Sequence, residues 1–261
     1  MHLFEQNTNE LSAWIRDEVE LDRPLKIGNR GRAVRRLQEW LCLRGFGVVI
    51  DEDFGPVTAQ AVSRFQSSAR LPPLGQVDDA TFAQLVQPMT GVLRRPPRRR
   101  VTLGDMIVDR GRSHLREHPM EKGGQNRGPW VRLYMKGNDG SQWAWCAGFI
   151  IFLLEQARQR LELPMPIPGS FSCDSLAAQA KDRGLFIAER DVRRGTIPPG
   201  SVFLVRRTST DWTHTGIVTS SGPDAFETIE GNTNDDGSRE GFEVCSRTRG
   251  YGDKDFIVWP R

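Results

Sequence analysis

Apolar positions recur at helical intervals through the first third of the chain. Leu11, Trp14, Ile15 and Val19 keep one face across residues 7 to 21, and Asn7 can cap with Glu10, so the pattern predicts an N-terminal helix there. A second helix carries Val34, Leu37 and Leu41 and is closed by Gly45. After the turn-rich stretch Asp51 to Pro56, a third places Val57, Ala61, Val62 and Phe65 inward, and a fourth, capped by Asp78 or Asp79, carries Phe82, Leu85 and Val86. The last three helices are short and share one small core, which predicts a compact bundle.

The pattern changes in the second half. Thr102, Leu103, Asp105, Met106 and Ile107 suggest a capped helix. Ala147 to Leu154 is apolar on every side, too much so for a helix face in water, and predicts a buried helix with Cys146 at or near its first turn. Asp174 to Arg183, closed by Gly184, should cover a sheet. His214 to Val218 is β-branched and opens a buried strand, and Ala225 to Asn232 alternates, with Phe226, Thr228 and Glu230 on one face. Helices on an antiparallel sheet make the class α+β.

Between the halves, Val92 to Arg100 holds two prolines and five arginines, a stiff and solvated stretch. The expected organisation is a helix at 1–24, a bundle at 25–87, an Arg/Pro-rich linker at 88–101 and a second domain at 102–261. With 38% hydrophobic and 26% charged residues the chain is an ordinary globular protein. A net charge of +3 and the lack of aromatic interleaving among the basic residues argue against nucleic acid as the partner.

Candidate chemistry centres on Cys146. The unpaired amides and positive dipole end of a helix favour a thiolate there, the form that attacks carbonyl carbon. A small buried hydrophobe is the competing account. A nucleophile needs a base, and the chain has four histidines. His2 is terminal, and His114 and His118 sit together before Pro119, which leaves His214. If the strands of His214 and Glu230 pair across the short connection Ser220 to Asp224, the carboxylate can fix the imidazole tautomer and stabilise its cation.

These residues also carry a resemblance. Trp145-Cys146-Ala147, then His214-Thr215-Gly216-Ile217-Val218, then Glu230-Gly231-Asn232 resemble a CHAP domain, an amidohydrolase and peptidase module of the NlpC/P60 and papain-like superfamily. Glu121 to Lys136, with Asn126, Arg127 and Gly128, and the strand start Pro198 to Phe203 extend the likeness over about residues 102 to 261. It implies a nucleophile at Cys146, a general base at His214 and an orienting group at Glu230, with Asn232 assisting. Gln142 is a candidate second donor to the oxyanion, and Trp143, Trp145, Trp212 and Asn126 are candidates for substrate contact. The calcium loop of some such domains corresponds to Lys136 to Gly140, with a single carboxylate, so no metal and no other cofactor is expected.

Residues 25 to 86 resemble the type 1 peptidoglycan-binding domain. The matching pieces are Gly31 to Gln38, Asp53-Phe54-Gly55-Pro56 with Thr58, Ala61-Val62 through Phe65-Gln66, and Val77-Asp78 with Thr81 and Leu85. Together the two resemblances imply a cell-wall hydrolase that cuts an amide or peptide bond of the peptidoglycan stem. The alternative without chemistry is a wall-binding or interaction protein.

His114-Leu115-Arg116-Glu117-His118 also spells the inverse zinc-peptidase pattern. Pro119 ends that helix at once and no downstream acidic helix offers a third ligand, so exposed histidines at a helix C-terminus are the plainer account. The four cysteines show no paired spacing, so free thiols are expected, with Cys42, Cys173 and Cys245 structural. Residues 1 to 6 lack a secretory pattern and no apolar run spans a bilayer, so a cytoplasmic product without membrane insertion is expected. Action in the wall then requires release, as by a phage-type lysin, or injection, as by an effector held in check by an immunity protein.

Overall fold

A computed structural model describes residues 1–97, 101–234 and 241–260. Arg98, Arg99 and Arg100 of the expected linker lie outside the described residues. The architecture is α+β.

The N-terminal segment divides where one helix is expected. Asn7 and Glu10 do form a capping box, but it closes only a 3-10 turn at Thr8–Glu10. Leu11 and Ser12 are extended, and α1 runs over Ala13–Val19. Ser12 spends its polar groups on the chain start instead: its N–H donates to the Met1 carbonyl, and its Oγ accepts from the Met1 ammonium at 2.7 Å.

The bundle follows as α2 (Arg32–Leu43), α3 (Pro56–Ser68) and α4 (Asp79–Leu85). Gly45 is left-handed at φ +84, and the Phe46 N–H returns to the Leu41 carbonyl at 2.8 Å, a glycine stop for α2. Asp78, not Asp79, caps α4 through the Thr81 N–H. Ala61, Val62 and Phe65 are buried as their spacing predicts, whereas Val57 is 69% exposed. Pro56 and Val57 form the first turn of α3, which projects beyond the core.

The linker boundary needs correction. Gln87–Leu93 forms a further helix, α5, with Pro88, Met89, Val92 and Leu93 buried, so the solvated stretch does not begin at residue 88. Short apolar pairs between prolines gave too little period to reveal it.

In the second half, α6 (Leu103–Glu117) carries a Thr102–Asp105 capping box, and α7 (Pro129–Tyr134), α8 (Cys146–Leu161) and α9 (Cys173–Asp182) follow. The sheet comprises β1 (Phe186–Ile187), β2 (Val202–Thr208), β3 (Asp211–Ser221), β4 (Ala225–Thr233), β5 (Glu243–Gly250) and β6 (Lys254–Ile257). Its order is β1-β6-β2-β3-β4-β5, with every pairing antiparallel. Ile217 and Ile229, partners on β3 and β4, join the core around α6 and α8, while Val218 and Phe226 join Phe203, Tyr251 and Phe256 in a second cluster.

One apolar core runs from the N-terminal helices into the second half. Trp40 of α2 meets Trp130 of α7 edge to face at 6.0 Å between ring centroids. Beside them the buried Arg132 of α7 donates to Glu18 of α1 at 2.7 and 2.9 Å and to Glu39 of α2 at 2.7 Å. Both carboxylates are fully buried; Glu39 also takes Arg35 at 2.9 Å, whereas Arg132 is the one cation paired with Glu18 among the described residues, so Glu18 depends on that guanidinium. The bundle is thus docked on the sheet domain by shared packing, beyond the chain connection at 94–102.

Candidate active site

Cys146 is the first residue of α8, and the head of that helix is fixed from three sides. Asn232 of β4 accepts the Trp145 N–H through Oδ1 at 2.9 Å and donates to the Gly241 carbonyl at 2.6 Å. It does so from a left-handed backbone, φ 55, which Asn tolerates better than most residues. The Trp145 ring stacks on Tyr134 at 5.5 Å and donates to Glu121 at 2.9 Å. Gly231 allows the close approach, since a Cβ there would sit 2.8 Å from the Trp145 ring and 2.9 Å from Phe149. Asn232 therefore serves the cysteine side of the site, placing the helix head, and does not orient the imidazole.

That second role belongs to Glu230. His214 of β3 and Glu230 of β4 meet through Nε2 and Oε2 at 2.8 Å, both buried. Glu230 Oε1 also accepts the Thr228 hydroxyl at 2.6 Å, and Arg249 of β5 clamps both carboxylate oxygens at 2.7 and 2.6 Å. Gly216 leaves the space: a Cβ there would lie 2.7 Å from Glu230 Cγ and 2.6 Å from the Phe203 ring. With Nε2 committed to the carboxylate, Nδ1 is the nitrogen left to serve Cys146, whose thiol raises the imidazole pKa.

The electrostatics follow from these contacts. A hydrogen bond from Cys173 draws the Cys146 thiol well below its ordinary range; burial opposes it, and His214 and the Ala147 N–H add to it. Burial would lower His214, but the bonds to Cys146 and Glu230 outweigh it and raise the imidazole to about 9. Burial would likewise raise Glu230, yet Arg249 and His214 hold it down at about 2. The directions of these shifts favour a thiolate beside an imidazolium, backed by an ionised carboxylate. Such a thiolate can attack a carbonyl carbon, and the imidazolium beside it can protonate a leaving amine.

Cys146 opens on a cleft of ≈ 420 Å³ that Glu121, Asn126, Ser141, Thr213 and Asn232 also line. Asn126, 4% exposed, donates to the Ser141 carbonyl at 3.1 Å and so holds the loop before the cysteine. The other residues picked for substrate contact lie elsewhere. Gln142 is exposed, turned over Gly140, and does not line that cleft. Trp145 is fully buried, so it packs the helix head and cannot wall a groove. Trp143 is half-buried, edge to face with Phe171 at 6.2 Å. Trp212, 6% exposed, donates to Asp255 at 2.8 Å and borders a different cleft of ≈ 890 Å³, which shares no lining residue with the first.

Two partners escaped the sequence. Arg249 reaches Glu230 through the β4–β5 register, which a single strand does not encode. Cys173, expected to be structural, stands at the head of α9 behind a Ser172 cap, and its thiol and that of Cys146 shift each other's ionisation. Its helix-head position was a usable signal.

The inverse zinc pattern does not assemble. His114 is fully buried, with Nδ1 on the Tyr134 hydroxyl at 2.8 Å and Nε2 on Gln156 at 3.1 Å, and burial lowers it to about 3. It is not the exposed histidine its position suggested. His118, left-handed at the end of α6, turns to Glu243 instead. Among the described residues no group of three or more His, Cys, Asp or Glu could hold a metal ion.

Residues 30–85 match a family model described as "Putative peptidoglycan binding domain". Peptidoglycan is thereby the supported partner, and association with the cell wall follows from that domain type. No curated protein gives a significant match to the chain. Among the described residues no helix is long and apolar enough to cross a membrane.

Proposed function

We propose that the protein is a cysteine hydrolase of peptidoglycan, cutting an amide or peptide bond of the stem. The observation that carries the reading is the buried array His214, Glu230, Arg249, hydrogen-bonded from one to the next, with Cys146 near enough to His214 for the two to shift each other's ionisation and open to a cleft. It supports a nucleophile, an acid–base group and a carboxylate that fixes the imidazole. The bundle at 30–85 supplies the reason for a wall substrate, since holding an insoluble polymer raises the local concentration of its bonds.

In this reading the Cys146 thiolate adds to the carbonyl carbon of the scissile bond. The oxyanion draws on the amides at the head of α8. His214 gives its proton to the leaving nitrogen as the C–N bond breaks, which leaves a thioester on Cys146. Water then attacks with His214 as base, releasing the carboxylate and restoring the ion pair. Delivery to the wall, through a lysis lesion or by injection with a protecting immunity partner, belongs to the same reading.

The test is digestion of purified sacculi by the full chain, with mass spectrometry of the soluble fragments. Release of stem fragments bearing a new amine and a new carboxylate, absent with Cys146→Ala, is the expected result and identifies the bond. Retention on sacculi without any fragment leaves a wall-binding protein and overturns the hydrolase.

A further inference from the structure

The heads of α8 and α9 lie side by side, each beginning with a cysteine. Trp143 and Phe171, three and two residues ahead of those cysteines, are in ring contact at 6.2 Å. Further along, Gly169 lies against Ile151 of α8, with its hydrogen where a Cβ would be 3.1 Å from that side chain. The first turn of α9 is pinned to β3 by Asp174, which accepts the Trp212 N–H at 2.7 Å two residues before His214. Two contacts thus join the segments at the two helix heads, and both cysteines border the same stretch of β3, Cys146 sharing its cleft with Thr213 and Cys173 preceding the residue that binds Trp212. The thiols are close enough that each shifts the other's ionisation. Both thiols are 7% exposed, and Cys146 faces the cleft, which is open to a small oxidant.

We propose that Cys146 and Cys173 form a reversible dithiol–disulfide pair, in which Cys173 closes on Cys146 once a peroxide has oxidised it. The roles of the two sulfurs are already distinct. Cys173 is held well above the ordinary thiol range by its bond to Cys146 and by burial, so it stays protonated while Cys146 carries the charge. Peroxide is attacked by thiolate, which makes Cys146 the sulfur oxidised first.

The chemistry balances with hydrogen peroxide as the only oxidant. Cys146 thiolate attacks one peroxide oxygen, the O–O bond breaks, and hydroxide leaves, taking the proton of the His214 imidazolium to become water. The product is a sulfenic acid on Cys146. The neutral His214 then accepts the Cys173 proton, and the Cys173 sulfur attacks Cys146 Sγ. The S–O bond breaks, and hydroxide takes that proton from His214 and leaves as a second water. Two electrons pass from the sulfur pair to the peroxide, and the nucleophile is sealed in a bond that a thiol reductant reopens. The pairing itself needs no hydrolysis; its effect on wall cleavage rests on the function proposed above.

The experiment treats the reduced full chain with a small excess of hydrogen peroxide, blocks remaining thiols with iodoacetamide and maps the peptides without reduction. The expected product is a cross-link between the Cys146 and Cys173 peptides, lighter by two hydrogens and reversed by dithiothreitol, with Cys42 and Cys245 still alkylated. In Cys173→Ser, checked for native far-ultraviolet circular dichroism, Cys146 should pass to sulfinic acid, which dithiothreitol does not reverse. Wild-type chain that forms sulfinic acid at Cys146 while Cys173 remains alkylatable, or that keeps both thiols free, overturns the pair. Cleavage of sacculi by that same unlinked chain would leave the hydrolase standing, whereas a cross-linking chain that cleaves nothing would sink the hydrolase and keep the pair.

Discussion

Arg249 holds both carboxylate oxygens of Glu230, Nε to Oε1 at 2.7 Å and Nη2 to Oε2 at 2.6 Å. Oε2 also takes the His214 Nε2 bond, so the guanidinium keeps charged the carboxylate on which the imidazole rests. Arg249→Gln should therefore act through His214. Because Arg249 is the main contact holding Glu230 near 2, its loss raises that pKa, and the acid limb of the cleavage profile should move to higher pH. Glu230→Gln should be the harsher change, with kcat lower by roughly 10³–10⁴ as expected when the third member of such a triad loses its charge. Equal pH profiles for wild type and Arg249→Gln would contradict the role given to Arg249.

The depressed Glu230 also makes a stability claim. A carboxylate lowered in the folded state contributes stability above its unfolded value, near 4.5, and loses it as pH falls toward about 2. His214 has the opposite sign: raised from 6.5 to about 9, it contributes fully below 6.5 and fades as pH climbs through 9. The depressed Cys146 thiol has the same sign as Glu230 and offsets the loss from His214 between 6.5 and 9. Denaturant midpoints followed by fluorescence should therefore fall as pH drops below roughly 5 and again only as it reaches about 9, and His214→Gln should flatten the alkaline slope.

The ion pair predicts how Cys146 reacts. Iodoacetamide should label it at a nearly constant rate from well below the ordinary thiol range up to neutrality. The rate should change again near pH 9, where His214 gives up its proton. In His214→Ala the labelling rate should instead rise only as the pH nears ordinary thiol values. Identical profiles in the two proteins would mean that His214 does not set the charge on sulfur.

Asn232 links β4 to the helix head through the Trp145 N–H at 2.9 Å. Asn232→Ala leaves that buried donor unpaired, at a cost of about 1–3 kcal/mol. The sulfur shifts with the helix head, so cleavage should drop while binding to sacculi, which resides in the bundle, stays. A parallel fall in binding would show that the change unfolds more than the site.

Arg132→Met tests how the two halves are joined. It strands the fully buried Glu18 and leaves Glu39 to Arg35 alone, and should destabilise the chain by about 3–5 kcal/mol. Chemical denaturation measures this directly. A loss below about 1 kcal/mol, within the range of exposed ion pairs, would show that Glu18 finds another partner.

The legible part of the molecule was what local pattern encodes. The all-round apolar run after Cys146 gave α8 and its head residue, and alternation through Phe226, Thr228 and Glu230 put the last of these on β4 beside His214. What was not legible depended on register and packing between distant segments. Nothing local places Arg249 on the carboxylate, joins Cys173 to Cys146, or buries His114 between Tyr134 and Gln156. Composition misled at α5, where prolines and arginines drew attention from Met89, Val92 and Leu93, and at Trp145, whose ring serves the core.

The central claim is that the Cys146 sulfur takes up the acyl half of a wall amide. Rapid acid quenching of the full chain during turnover of a soluble muropeptide, followed by peptide mass mapping, reads it most directly. The predicted result is a stem fragment held as a thioester on the Cys146 peptide, absent from Cys146→Ala, which should not cleave. Continued cleavage by Cys146→Ala, with no adduct on the wild-type cysteine, would contradict the account.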